Sequence, residues 1–112
     1  MGQGSSSGGT TGSGTMDEVK ALTTSADVVM FISSSCPYCV DAQDVLKSKG
    51  IAFTAIEASG GQRSALRSLT GQSSVPNCWV KGVFVGGCND GPEGWMGIKK
   101  MANNGELQKR LK

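Results

Sequence analysis

The order of apolar runs and turn residues predicts an α/β fold, a central four-stranded mixed sheet flanked by helices, from three observations. First, a run of strand formers at Val28–Ile32 is followed by an amphipathic stretch from Pro37 and a second strand-forming run at 51–56. This is a strand–helix–strand unit, which crosses over right-handed and makes a parallel pair. Second, two short runs, Asn77–Val80 and 83–85, flank Lys81-Gly82, a hairpin turn in which glycine accepts positive φ. Third, helical patterns precede, separate and follow these strands.

Taken in order, residues 17–25 show helical spacing at Val19 and Leu22, and Asp27 begins the first strand. From 37 to 49, Val40, Val45 and Leu46 share one helical face while Asp41, Asp44 and Lys47 stay wet. Gly50 then supplies the stop. Residues 51–56 alternate less cleanly, and 57–61 loosen into a turn. A third helix is expected over 62–69 with Ala65, Leu66 and Leu69 inward, ending at Gly71. After the hairpin, Gly86-Gly87-Cys88-Asn89-Asp90 permits a close backbone approach. Asp90 is placed to cap a helix from about Pro92 to Ala102, with a last short helix from Glu106. Both trailing helices are expected to cover one face of the sheet.

Composition bounds the rest. Residues 1–15 are almost wholly Gly, Ser and Thr and carry no charge. Such a segment buries too little surface to offset its ordering entropy, so it reads as a disordered tail or an expression remnant. It has neither the Arg-rich pattern of a transit peptide nor the apolar centre of a secretory signal. Residues 16–112 suffice for one domain with one core. Eleven basic and nine acidic residues give a mild positive balance without a basic stripe, so no nucleic-acid partner is expected. No apolar run approaches the roughly 20 residues of a membrane span. A soluble monomer in a reducing compartment, the cytoplasm, is the expectation.

Between the first strand and the second helix stands Cys36-Pro37-Tyr38-Cys39. Two thiols in the first turn of a helix after a strand are the layout of a thiol–disulfide redox site. The reactive species is a thiolate, and a helix N-terminus favours one through its free N–H groups and dipole. Cys36 is therefore the expected nucleophile. Cys39, one turn further in, is close enough to attack a mixed disulfide formed on Cys36. A zinc site would use a second pair of ligands, but the other cysteines are Cys78 and Cys88 and the chain has no histidine, so no metal is expected.

Three separated motifs, Cys36-Pro37-Tyr38-Cys39, Ser74-Val75-Pro76 and Gly86-Gly87-Cys88-Asn89-Asp90, agree in order and spacing with one family. The chain resembles a dithiol glutaredoxin, of the thioredoxin superfamily, over essentially all of 16–112. The resemblance implies a thioredoxin-like fold and a glutathione-dependent reductase of protein disulfides and protein–glutathione mixed disulfides. It implies no tightly bound cofactor, with glutathione or a related low-molecular-weight thiol as co-substrate. It further implies a cis peptide before Pro76, with the backbone of Val75 opposite the nucleophile and open to a bound peptide. Gly87, Cys88, Asn89 and Asp90 would receive the γ-glutamyl end of glutathione, the backbone taking its carboxylate and Asp90 its ammonium. Arg63 falls where the family places a residue for the glycine carboxylate, and Tyr38 lines the same groove. Bland readings stand beside these: Pro76 as a strand-start proline, Asp90 as a helix cap, Arg63 as a solvated charge.

One departure bears on substrate. Glutaredoxins commonly carry lysine three residues before the nucleophile, and here that position is Ser33. Losing a partly exposed ion pair costs up to about 1 kcal/mol of binding. The expectation drawn from it is a site that accepts a thiol whose glycine carboxylate is blocked as an amide, such as the glutathione–polyamine conjugate of kinetoplastids. Cys78 is expected to pack as a small hydrophobe and Cys88 to contribute backbone, a regulatory disulfide or glutathionylation remaining open for both. The alternative function from another class is iron–sulfur cluster binding, two protomers sharing a cluster through Cys36 and two glutathiones.

Overall fold

The computed structural model describes residues 16–89 and 91–112. Along the chain run α1 (Met16–Thr23), β1 (Val28–Ile32), α2 (Pro37–Ser48), β2 (Thr54–Glu57), α3 (Gly60–Thr70), β3 (Asn77–Val80), β4 (Val83–Gly86), α4 (Ile98–Asn104) and α5 (Glu106–Arg110). The strands form one mixed sheet in the order β2-β1-β3-β4. β1 pairs parallel with β2, Val29 opposite Thr54, and antiparallel with β3, Met30 opposite Cys78. β4 closes the hairpin with Trp79 opposite Phe84.

An inner strand covered on both faces needs no polar alternation, which is why Val28-Val29-Met30-Phe31 is buried throughout. Its side chains divide the interior in two. Val28 and Met30 pack with Ala42, Leu46, Ile98, Met101 and Leu107, so α2, α4 and α5 cover one face. Val29 and Phe31 pack with Val19, Ala65, Leu66 and Trp79 beneath α1 and α3. Both trailing helices thus share a face, as the sequence suggested.

Several details differ from the sequence reading. The second strand starts at Thr54, because Ile51 N–H turns back to the Leu46 carbonyl at 2.9 Å and its side chain joins the core from outside the sheet. On α2 the buried positions are Cys39, Ala42 and Leu46, whereas Val40 is 51% exposed. Val40 lies one residue, about 100° of helix, off that stripe. Asp41 is half-buried rather than wet, since it meets Lys99 of α4. The expected helix over 92–102 is only Ile98–Asn104. Gly91, Gly94 and Gly97 weaken its first half, where Met96 N–H instead closes a turn onto the Glu93 carbonyl. At Gly91 a Cβ would lie 2.4 Å from the Val85 carbonyl oxygen, so the chain there requires glycine.

α3 begins two residues earlier than its apolar spacing suggests because Ser59 caps it. The Ser59 hydroxyl accepts from Gln62 N–H at 3.2 Å, and the Gln62 side-chain oxygen accepts from Ser59 N–H at 2.9 Å. The hairpin turn has φ of 49° at Lys81 and 82° at Gly82, the left-handed pair that follows the twist of the strands.

Candidate active site

Cys36 is the N-cap of α2 and Pro37 its first residue, a position where the missing proline N–H costs nothing. The strand ends at Ile32, the chain turns through three serines, and Cys36 N–H bonds the Ser33 carbonyl at 3.1 Å. The Cys36 sulfur accepts from Cys39 N–H at 3.1 Å, a donor suited to a sulfur that carries negative charge. As a thiol it also donates to the Val75 carbonyl at 3.6 Å. The Val75–Pro76 peptide is cis. The first and second motifs, 39 residues apart, therefore meet at one sulfur.

The two thiols have different surroundings. Cys36 is partly exposed and Cys39 is buried. Burial, then the hydrogen bond with Cys36, then the charges of Cys36 and Cys88, push the Cys39 thiol up to about 12, against a partial offset from the Ser33 backbone. Cys39 thus rests protonated behind an accessible partner. Cys78 is fully buried, and burial pushes its thiol well up. It packs as a small apolar group.

A cleft of about 410 Å³ opens beside the redox turn, lined by Tyr38, Gln72, Ser74, Val75, Pro76, Gly87, Cys88 and Asn89. Six expected binding residues are thereby brought together from three separate segments. Tyr38 is 62% exposed at the rim. Arg63 does not line the cleft. Its Nε donates to the Ser73 carbonyl at 3.1 Å and so holds the loop that carries Ser74 and Val75. Asp90 lies outside the described residues, and its assignments are not placed. Asn89 is exposed and precedes α4 by nine residues, so it is not at a helix N-terminus. The first amides of α4 are already used: Gly97 N–H bonds the Val85 carbonyl at 2.9 Å, Ile98 N–H that of Gly87 at 2.8 Å and Lys99 N–H that of Cys88 at 2.9 Å.

Sequence reasoning missed Gln72 and the buried Asn77, and named Ser74 only as part of a motif. Asn77 takes the Trp79 indole N–H at 2.7 Å and donates to the Gln72 carbonyl at 3.3 Å, tying the cleft loop to β3. The signal available was a polar residue opening an apolar strand next to the proline. Asp41 was read as solvated, yet it pairs with Lys99 Nζ at 2.7 Å and raises the lysine's affinity for its proton.

A partly exposed thiol at a helix N-cap, a protonated thiol one turn behind and a cleft beside the Val75–Pro76 loop, on a four-stranded mixed sheet flanked by helices, define a thiol–disulfide oxidoreductase. The glutaredoxin family model matches residues 28–85. Glutaredoxin-C6 of Oryza sativa subsp. japonica is 38% identical over 78 residues, 65% of this chain and 70% of that protein. The solved holo form of glutaredoxin C1 from Populus tremula x tremuloides superposes with a TM-score of 0.73 at 30% identity, covering 86% of this chain and 93% of the other. The buckwheat glutaredoxin–glutathione complex does so with 0.73 at 25% identity, covering 86% of each chain. The chain belongs to the glutaredoxin family. It is accordingly a glutathione-dependent thiol oxidoreductase. Among the described residues no helix is long and apolar enough to cross a membrane.

Proposed function

We propose that this protein reduces protein–glutathione mixed disulfides and protein disulfides, with Cys36 as nucleophile and Cys39 as resolving thiol. The observation that carries the reading is the Cys36 sulfur at the N-cap of α2, facing Val75 at the margin of the cleft. In the first half-reaction the Cys36 thiolate attacks the glutathione sulfur, the mixed disulfide breaks, and the client leaves as a thiolate that takes a proton from water. A second glutathione thiolate then attacks the glutathionyl sulfur, forming glutathione disulfide and returning Cys36 as thiolate. With a protein disulfide, Cys36 first bonds one client sulfur and releases the other. Cys39 then loses its proton and attacks the Cys36 sulfur, so that the client leaves reduced and a Cys36–Cys39 disulfide remains for two glutathiones to reduce.

The cleft wall of Val75, Gly87, Cys88 and Asn89 would hold glutathione by its backbone, with Tyr38 against one side. The test is a coupled assay on a glutathionylated peptide with glutathione as donor. Activity is expected to survive Cys39→Ser and to vanish in Cys36→Ser. No activity in the wild type would overturn the reading, and a visible-absorbing dimer on anaerobic purification would replace it with cluster binding.

The donor itself is open to a finer reading. Ser33, hydrogen-bonded to Ser35 at 3.2 Å, stands where a cation is usual, and the Glu57 carboxylate accepts from Ser34 N–H at 3.4 Å. An anionic group beside the redox turn favours a glutathione conjugate whose glycine carboxylate is an amide bearing a cationic polyamine. Wild type should use such a conjugate with up to about fivefold higher kcat/KM than Ser33→Lys. Equal turnover by the two removes the argument.

A further inference from the structure

We infer that Asp41 and Lys99 are positioning residues that fix the Gly87–Cys88–Asn89 wall of the cleft against the redox helix, and so set how tightly the glutathionyl group is held. The inference rests on the reading of that cleft as the glutathione subsite. Its basis is a chain of contacts that leads from Cys36 to the opposite wall. Asp41 lies on α2, five residues after the nucleophile, and its Oδ2 receives Lys99 Nζ at 2.7 Å from α4. The backbone N–H of the same Lys99 bonds the Cys88 carbonyl at 2.9 Å, and the neighbouring Ile98 N–H bonds that of Gly87 at 2.8 Å. The Cys88 thiol in turn lies 3.9 Å from the same Asp41 oxygen.

Cys88 is therefore held from two sides, through its carbonyl by the Lys99 backbone N–H and through its sulfur by the Asp41 carboxylate, which also takes the Lys99 ammonium. The N-cap of α4, Gly97, makes no side-chain cap hydrogen bond, so the carbonyls of 85–88 supply the acceptors that this helix start needs. Loop and helix consequently move as one piece, and Asp41 is the polar link between that piece and α2. The two side chains are 31% and 44% exposed, which limits what the pair adds to global stability. A pair of small stabilising effect that joins two walls of a binding cleft acts on ligand positioning.

The test measures steady-state kinetics on a glutathionylated peptide with glutathione as donor, for wild type, Lys99→Met, Lys99→Arg and Asp41→Asn. KM for the peptide is expected to rise about three- to fivefold in Lys99→Met and Asp41→Asn, with kcat changed by less than about twofold. Lys99→Arg, which keeps the cation, should stay near wild type. Alkylation of Cys36 by iodoacetamide at pH 7 should be little changed in the three variants. Should Lys99→Met fail to fold, Asp41→Asn, which preserves size and a hydrogen-bonding oxygen while removing the charge, carries the test. Unchanged KM in the folded variants, or a fall in kcat at constant KM, would overturn the positioning role. Inactive wild type would overturn the functional reading, and the positioning role with it.

Discussion

Cys36 and Cys39 are chemically identical residues one helical turn apart, and their surroundings alone set them apart. Burial chiefly pushes the Cys39 thiol up to about 12, so across pH 7 to 9 it stays a thiol. Iodoacetamide at pH 8 is therefore expected to label Cys36 and leave Cys39, read by peptide mass spectrometry. Burying a group whose folded-state value is raised favours its protonated form. The associated stability is whole below about pH 9 and is lost as pH rises from there towards 12. Wild type should lose stability over that window faster than Cys39→Ala, measured by urea unfolding. The two thiols and the proline loop were legible because their chemistry is local or tied to short motifs. Asp41 was not, because its partner is 58 residues away and periodicity records only which face of its own helix a residue occupies.

Elements set by neighbouring residues were read well, apart from the start of α3, and those set by tertiary contacts were not. β1, α2 and the Lys81-Gly82 hairpin stand within a residue or two of their expected bounds, since apolar runs, the proline at N1 and the turn pair speak for themselves. The bounds of β2 and α4 moved because Ile51 is bonded back to the end of α2 and because α4 is capped by carbonyls of the β4 loop. Neither acceptor is visible from the residues that use it. The Ser59–Gln62 box is the clearest local signal at an element boundary. Ser59→Ala should cost about 1 kcal/mol in urea unfolding. Because Arg63, in the first turn of α3, holds the Ser73 carbonyl, the same variant should also raise KM for a glutathionylated peptide more than it lowers kcat.

At the scale of the whole molecule, β1 is the partition on which both cores and the redox turn are built. Met30 fills one core and Phe31 the other, both fully buried, and five residues beyond Phe31 the chain reaches Cys36. Phe31→Ala should cost about 3–5 kcal/mol by chemical denaturation. That is a large share of the roughly 5–15 kcal/mol that holds a domain together, and a loss below about 1 kcal/mol would contradict the packing described. The sheet brings three motifs from distant parts of the chain to one end, and the central claim is that Cys36 is where the glutathionyl group is carried. It is tested most directly by exposing Cys39→Ser to glutathione disulfide and mapping the adduct by peptide mass spectrometry. One glutathione on the peptide containing Cys36, with Cys78 and Cys88 unmodified, is the predicted result; a stable adduct on Cys78 or Cys88 with Cys36 free would contradict it.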